Sequence, residues 1–118
     1  MKPKFLSCDQ ILSSKLKTRE LDIPEWGGTI LIREPTAIER ADFELLSVEA
    51  TKSNEVMREI RGYCAVKCIV NESGKRMFTD EQIPMLNELS ANALDRVIDV
   101  YRDMSLTEDI EIQETAKN

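Results

Sequence analysis

Leu21-Asp22-Ile23-Pro24-Glu25-Trp26-Gly27-Gly28-Thr29-Ile30-Leu31-Ile32-Arg33 is the stretch that decides the fold class. Leu21 and Ile23 alternate with Glu20 and Asp22, the period of two that turns one face of a strand toward a core. Pro24 to Gly28 is a turn cluster whose two glycines are free to take positive φ. Thr29 to Arg33 is β-branched and apolar, which suits a strand. Together these residues predict an antiparallel hairpin over about 17–34. Two strands are not stable alone in water, so the hairpin must pack on helices or pair with another copy.

Downstream of the hairpin the chain reads as helix. Pro35 ends the strand, and Thr36 with Glu39 three residues on forms a capping box. This predicts a helix over 37–50, with Ala37, Ala41, Phe43, Leu45 and Val48 as apolar residues. A second helix is expected over 55–70. Its later half is apolar nearly all round apart from Lys67, which marks the centre of the core. Asn71 to Lys75 is a turn. Thr79 and Gln82 form another capping box, opening a helix over 80–89. Pro84 removes an amide from its first turns, so regular helix is expected only near that residue. Ser90 caps a last helix over 91–104, where Leu94, Val97, Ile98 and Tyr101 make an amphipathic stripe. Upstream, Ser7 and Gln10 box a helix of about two turns over 7–14. The acidic remainder, 106–118, is expected to be a flexible tail. The predicted fold class is α+β and helix-dominated: an N-terminal β-hairpin followed by about four helices around one aliphatic core, in a single domain over 1–105.

Composition narrows the function. The 118 residues are one domain's length, and only six are aromatic, so the core must be aliphatic. The net charge of −6 disfavours phosphate backbones and anionic membranes, which leaves proteins as the natural partners. Three cysteines without a disulfide framework point to a reducing compartment. No window is apolar enough to span a membrane, and no hydrophobic stretch precedes Leu6-Ser7-Cys8, so no signal peptide is read there.

The absence of histidine removes the commonest general base and zinc ligand. Cys64 and Cys68 lie one helical turn apart with no further ligand to complete a tetrahedral site, so both read as small core residues. The carboxylate pairs Asp80–Glu81, Glu39–Asp42 and Glu108–Asp109 fall at helix caps or on solvated faces, where they complement helix dipoles. Gly27-Gly28 lacks the surroundings of a phosphate loop. No catalytic, cofactor-binding or metal site is read, and no small-molecule substrate. The last two helices imitate a helix-turn-helix, but three aspartates and two arginines on the outer face of the final one suit DNA poorly. The candidate partner-binding residues are Trp26, Ile30, Leu31 and Ile32. Consecutive Ile-Leu-Ile puts apolar side chains on both faces of a strand, and only one of those faces need pack on the helices.

Asn71-Glu-Ser-Gly-Lys-Arg-Met-Phe-Thr-Asp-Glu-Gln-Ile83, followed by Leu86, Leu89-Ser90 and Ala93-Leu94-Asp95-Arg96-Val97, resembles the C-terminal half of the tail assembly chaperones of long-tailed bacteriophages. Trp26, Arg33-Glu-Pro-Thr36, Glu39-Arg40 and Phe43-Glu44 resemble the family's hairpin strand and capped helix. The likeness spans about 23–104. Pro84 departs from it, since a polar or charged helix former usually stands there. The resemblance implies a non-enzymatic protein of a phage or prophage. Its expected partners are the tape measure protein, which it keeps soluble, and the tail tube protein, which it helps recruit during tail morphogenesis. It would act in the bacterial host cytoplasm and be absent from the mature virion. Self-association through the hairpin edge would suit many copies per client, making a homo-oligomer a further expectation. The alternative is a small adaptor or regulatory protein that binds one defined partner.

Overall fold

The computed structural model describes the backbone of residues 2–117 and the side chains of residues 2–104. The element order is α1 (Cys8–Leu12), β1 (Thr18–Ile23), β2 (Gly28–Arg33), α2 (Ala37–Ala50), α3 (Asn54–Cys68), β3 (Ile69–Val70), α4 (Ile83–Leu86) and α5 (Ala91–Lys117). The fold is α+β and helix-dominated, with the hairpin at its N-terminal end. A short 3-10 turn, Pro24–Trp26, closes that hairpin, and Gly27 leaves it in the left-handed region at φ 71°. The register pairs Leu21 with Ile30 and Ile23 with Gly28. One face of the pair therefore carries Leu21, Ile23, Ile30 and Ile32 toward the helices, while Glu20 and Asp22 face out.

The sheet has three strands in the order β1-β2-β3. Here the sequence expectation is corrected: the second helix ends at Cys68, and Ile69–Val70 pair with Ile32 and Leu31. Two arginines make that exit from the helix feasible. Arg33 donates to the Lys67 carbonyl at 3.2 Å, and Arg76 to the Val66 carbonyl at 3.1 Å. Carbonyls left open by the end of α3 thus gain cationic partners.

The expected helix over 80–89 is also shorter than predicted. A 3-10 turn, Asp80–Gln82, precedes the single α-helical turn of α4, with Pro84 in its first turn, where the missing amide costs nothing. The backbone of α5 in turn continues past Met104, since no Gly or Pro interrupts 91–117. The flexible tail expected over 106–118 lies outside the residues whose side chains are described.

The core is aliphatic. Ile23 and Ile32 of the hairpin meet Cys64, Ala65, Val66 and Cys68 of α3 and the Ala93, Leu94 and Val97 face of α5. Each large side chain so buried contributes about 1.5–3 kcal/mol. Phe43 and Tyr101 close the α2–α5 side edge-to-face, with ring centroids 5.5 Å apart. A polar clamp fixes α4 on α3: the Gly62 amide donates to Asn87 Oδ1 at 2.7 Å, and Asn87 Nδ2 donates to the Glu59 carbonyl. A Cβ on Gly62 would lie 2.7 Å from Asn87 Cγ, so the clamp requires glycine there.

Candidate functional site

Helix α2 is apolar along two lines. Phe43, Leu46 and Ala50, at i, i+3 and i+7, pack into the molecule. Ile38, Ala41, Leu45 and Val48 fall at i, i+3, i+7 and i+10 on the outer side. There Ile38 is 75% exposed, Leu45 70% and Val48 60%. A stripe at 3–4 residue spacing is the seam by which one helix receives another. Large apolar side chains left together on a surface mark an interaction site.

Thr36 and Glu39 start this helix. Thr36 Oγ1 accepts from the Glu39 amide at 3.1 Å, and Glu39 Oε1 accepts from the Thr36 amide at 3.0 Å. Glu39 also pairs with Arg33, which ties α2 to the end of β2. Burial by itself would raise the Glu39 carboxyl, but the Thr36 amide and the Arg33 guanidinium outweigh it and hold the group below its ordinary value. The entry point of α2 is therefore a charged, hydrogen-bonded anchor, and the stripe beyond it stands on a fixed rod.

Beside the stripe lies a groove of about 390 Å³ between α2 and α5, with Phe43, Val48 and Tyr101 among its lining residues. Val48 joins groove and stripe into one surface. Its margins are charged: Arg40 and Glu44 form an i, i+4 pair at 3.3 Å, and Asp42 and Glu49 are exposed on the other flank. Over the whole helix, four acidic residues against one arginine give a net charge of −3. Arg102 of α5 stands on the groove side, so the acidic margin of the lane is the Asp42–Glu49 flank, which suits an amphipathic helix carrying basic residues on that side of its apolar face.

The residues singled out from sequence stand elsewhere. Ile32 is fully buried in the core, which removes it from the accessible surface. Trp26 and Ile30 are half-buried and pack against that core. Leu31 is half-buried on the opposite face of the sheet, in register with the buried Val70. The outer edge of β1 carries Arg19, Glu20 and Asp22. Arg19 bonds Asp103 of α5 at 2.7 Å, and Asp22 accepts from Thr29. Charges of this kind blunt a sheet edge.

In the sequence alone, Leu45 and Val48 count, like Phe43, as apolar content of their helix. The signal that separates them is the second line itself, since a helix packed on one side needs only one.

The remaining chemistry is structural. Cys64 and Cys68 are buried free thiols. Their mutual hydrogen bond and burial push the Cys68 thiol well up. Burial likewise raises the Tyr101 phenol. Among the described residues, no group of three His, Cys, Asp or Glu side chains is placed to hold a metal ion. No helix of the described residues is long and apolar enough to cross a membrane.

No protein-family model matches the chain, and neither does any curated protein. Among solved structures, the bacteriophage HK97 tail assembly chaperone has a similar fold, with a TM-score of 0.58 over 80% of this chain and 89% of that one. The two sequences are 13% identical. The likeness is one of fold.

Proposed function

We propose that this chain is a phage tail assembly chaperone that binds the tape measure protein and keeps it soluble. It also helps bring tail tube subunits to that client during tail morphogenesis. On this reading it works in the bacterial host cytoplasm, performs no catalysis and leaves before the virion is complete.

The observation that carries the reading is the exposed stripe of α2, set in a fold like that of the HK97 chaperone. A tape measure protein is long and helical, and it exposes apolar faces until the tube covers them. A chaperone for it needs an apolar lane that receives a helix and can later release it. Ile38, Leu45 and Val48 supply that lane. The exposed Met57, Met77 and Met85 supply adaptable apolar contacts elsewhere on the surface. The net charge of −6 keeps the loaded complex in solution.

The test is co-expression of the tape measure protein of the same phage with this chain, tagged. The reading predicts soluble client that co-purifies with several copies of the chain. Client that stays in the pellet with nothing bound refutes it. A single, different protein captured at fixed stoichiometry would instead mark an adaptor.

A further inference from the structure

Among the described residues, the N-terminal arm ahead of β1 contributes nothing to the core. Residues 2–20 are all exposed. Within them α1 is formed and fully capped: Ser7 Oγ accepts from the Gln10 amide at 3.2 Å, and Gln10 Oε1 accepts from the Ser7 amide at 2.8 Å. Yet none of its residues is buried. A helix this short does not persist in water without packing, so its folded form implies a surface to pack on. The arm carries the apolar groups for such a surface. Phe5 is 87% exposed and Leu12 79%, and Leu6, Ile11 and Leu16 are exposed as well.

Charge identifies the surface. Residues 1–17 hold four lysines against one aspartate, a net +3 in a chain whose total is −6. The remaining residues therefore carry −9. Two arms repel each other, and an arm is attracted to an acidic face. The outer side of α2 is such a face: the helix is −3 overall, apolar along the stripe, with Asp42 and Glu49 on one flank and the Arg40–Glu44 pair on the other. Within a single chain, arm and stripe are both left uncovered. Each copy thus offers one basic, apolar donor and one acidic, apolar acceptor, the arrangement of a heterologous head-to-tail contact.

We infer that the N-terminal arm of one copy docks on the outer stripe of α2 in a second copy, placing Phe5, Leu6, Ile11 and Leu12 against Ile38, Leu45 and Val48. Lys2, Lys4 and Lys15 then lie near the Asp42–Glu49 flank. The arm covers the stripe until a client displaces it. That displacement rests on the function proposed above, whereas the contact between copies does not.

Complementation between two full-length variants tests this. Phe5→Asp/Leu12→Asp disables the arm, and Leu45→Lys disables the stripe. All three positions are exposed, so circular dichroism should match the wild type for both variants. In sedimentation velocity, the wild type is expected to grow in mass with concentration and to shrink as salt rises. Each variant alone should remain a monomer. An equimolar mixture should form heterodimers and stop there, because only one intact arm and one intact stripe remain per pair. A wild type that is monomeric throughout, an arm variant that associates like the wild type, or a mixture that stays monomeric overturns the inference. Client binding is scored separately: the arm variant should still hold the tape measure protein. If Leu45→Lys abolishes self-association but retains the client, the client-binding reading fails and the arm contact stands.

Discussion

Replacing Ile32 with alanine separates core from contact surface. Ile32 is 0% exposed, and the change removes three carbons from a packed site. At about 0.8 kcal/mol per buried carbon, the transfer loss is about 2.4 kcal/mol. The cavity left behind brings the total to about 3–4 kcal/mol. For a domain of this length that lowers the melting temperature by about 10–18 °C. The variant still folds at 25 °C if the parent has the usual stability of about 5–15 kcal/mol. Leu45→Ala is the control. With its side chain mostly in solvent, the cost should stay within about 0.5 kcal/mol and the melt should shift by about 2 °C or less. Thermal melts followed by circular dichroism, with urea titrations alongside, measure both. Client capture below the melt should show the opposite order, retained by Ile32→Ala and weakened by Leu45→Ala. An Ile32→Ala protein that melts with the wild type yet loses its client would refute the assignment of Ile32 to the core and of the contact to α2.

Further outcomes follow from the same contacts. Gly62→Ala gains about 1 kcal/mol of helix propensity but drives the Asn87 side chain out of two hydrogen bonds, so urea titration should show a net loss of about 1–2 kcal/mol. The Glu39 carboxyl is depressed in the folded state, so its contribution is complete above its ordinary value of 4.5 and fades as pH falls through the lower folded value. Glu39→Gln should therefore be less stable than the wild type near neutrality, and the gap should close in acid melts. Native protein should take up a thiol reagent at the exposed Cys8, with Cys64 and Cys68 reacting only after urea is added; mass spectrometry counts the adducts.

Local signals carried much of the fold. The boxes at Ser7–Gln10 and Thr36–Glu39 form, and at Thr79 the backbone amide donates to Gln82 Oε1, because each needs only residues three apart. The hairpin register follows from the alternation of Leu21 and Ile23 with charges. What stayed hidden depends on distant partners. Ile69 and Val70 continue the apolar pattern of α3 with no breaker between, and they become a strand only because β2 offers Leu31 and Ile32. Ile32 looked available for the same reason. Its burial depends on where α3 and α5 sit, which no window around residue 32 contains. The stripe on α2 was readable in principle, as four apolar positions beyond those the core required.

The most direct measurement is the amount of soluble tape measure protein recovered when it is co-expressed with wild-type chain or with Leu45→Lys/Val48→Lys. Both substituted side chains are exposed, so the two proteins should melt alike. The account predicts soluble, co-purifying client with the wild type and client in the pellet with the double variant. Client that is insoluble with the wild type, or equally soluble with both, would contradict it.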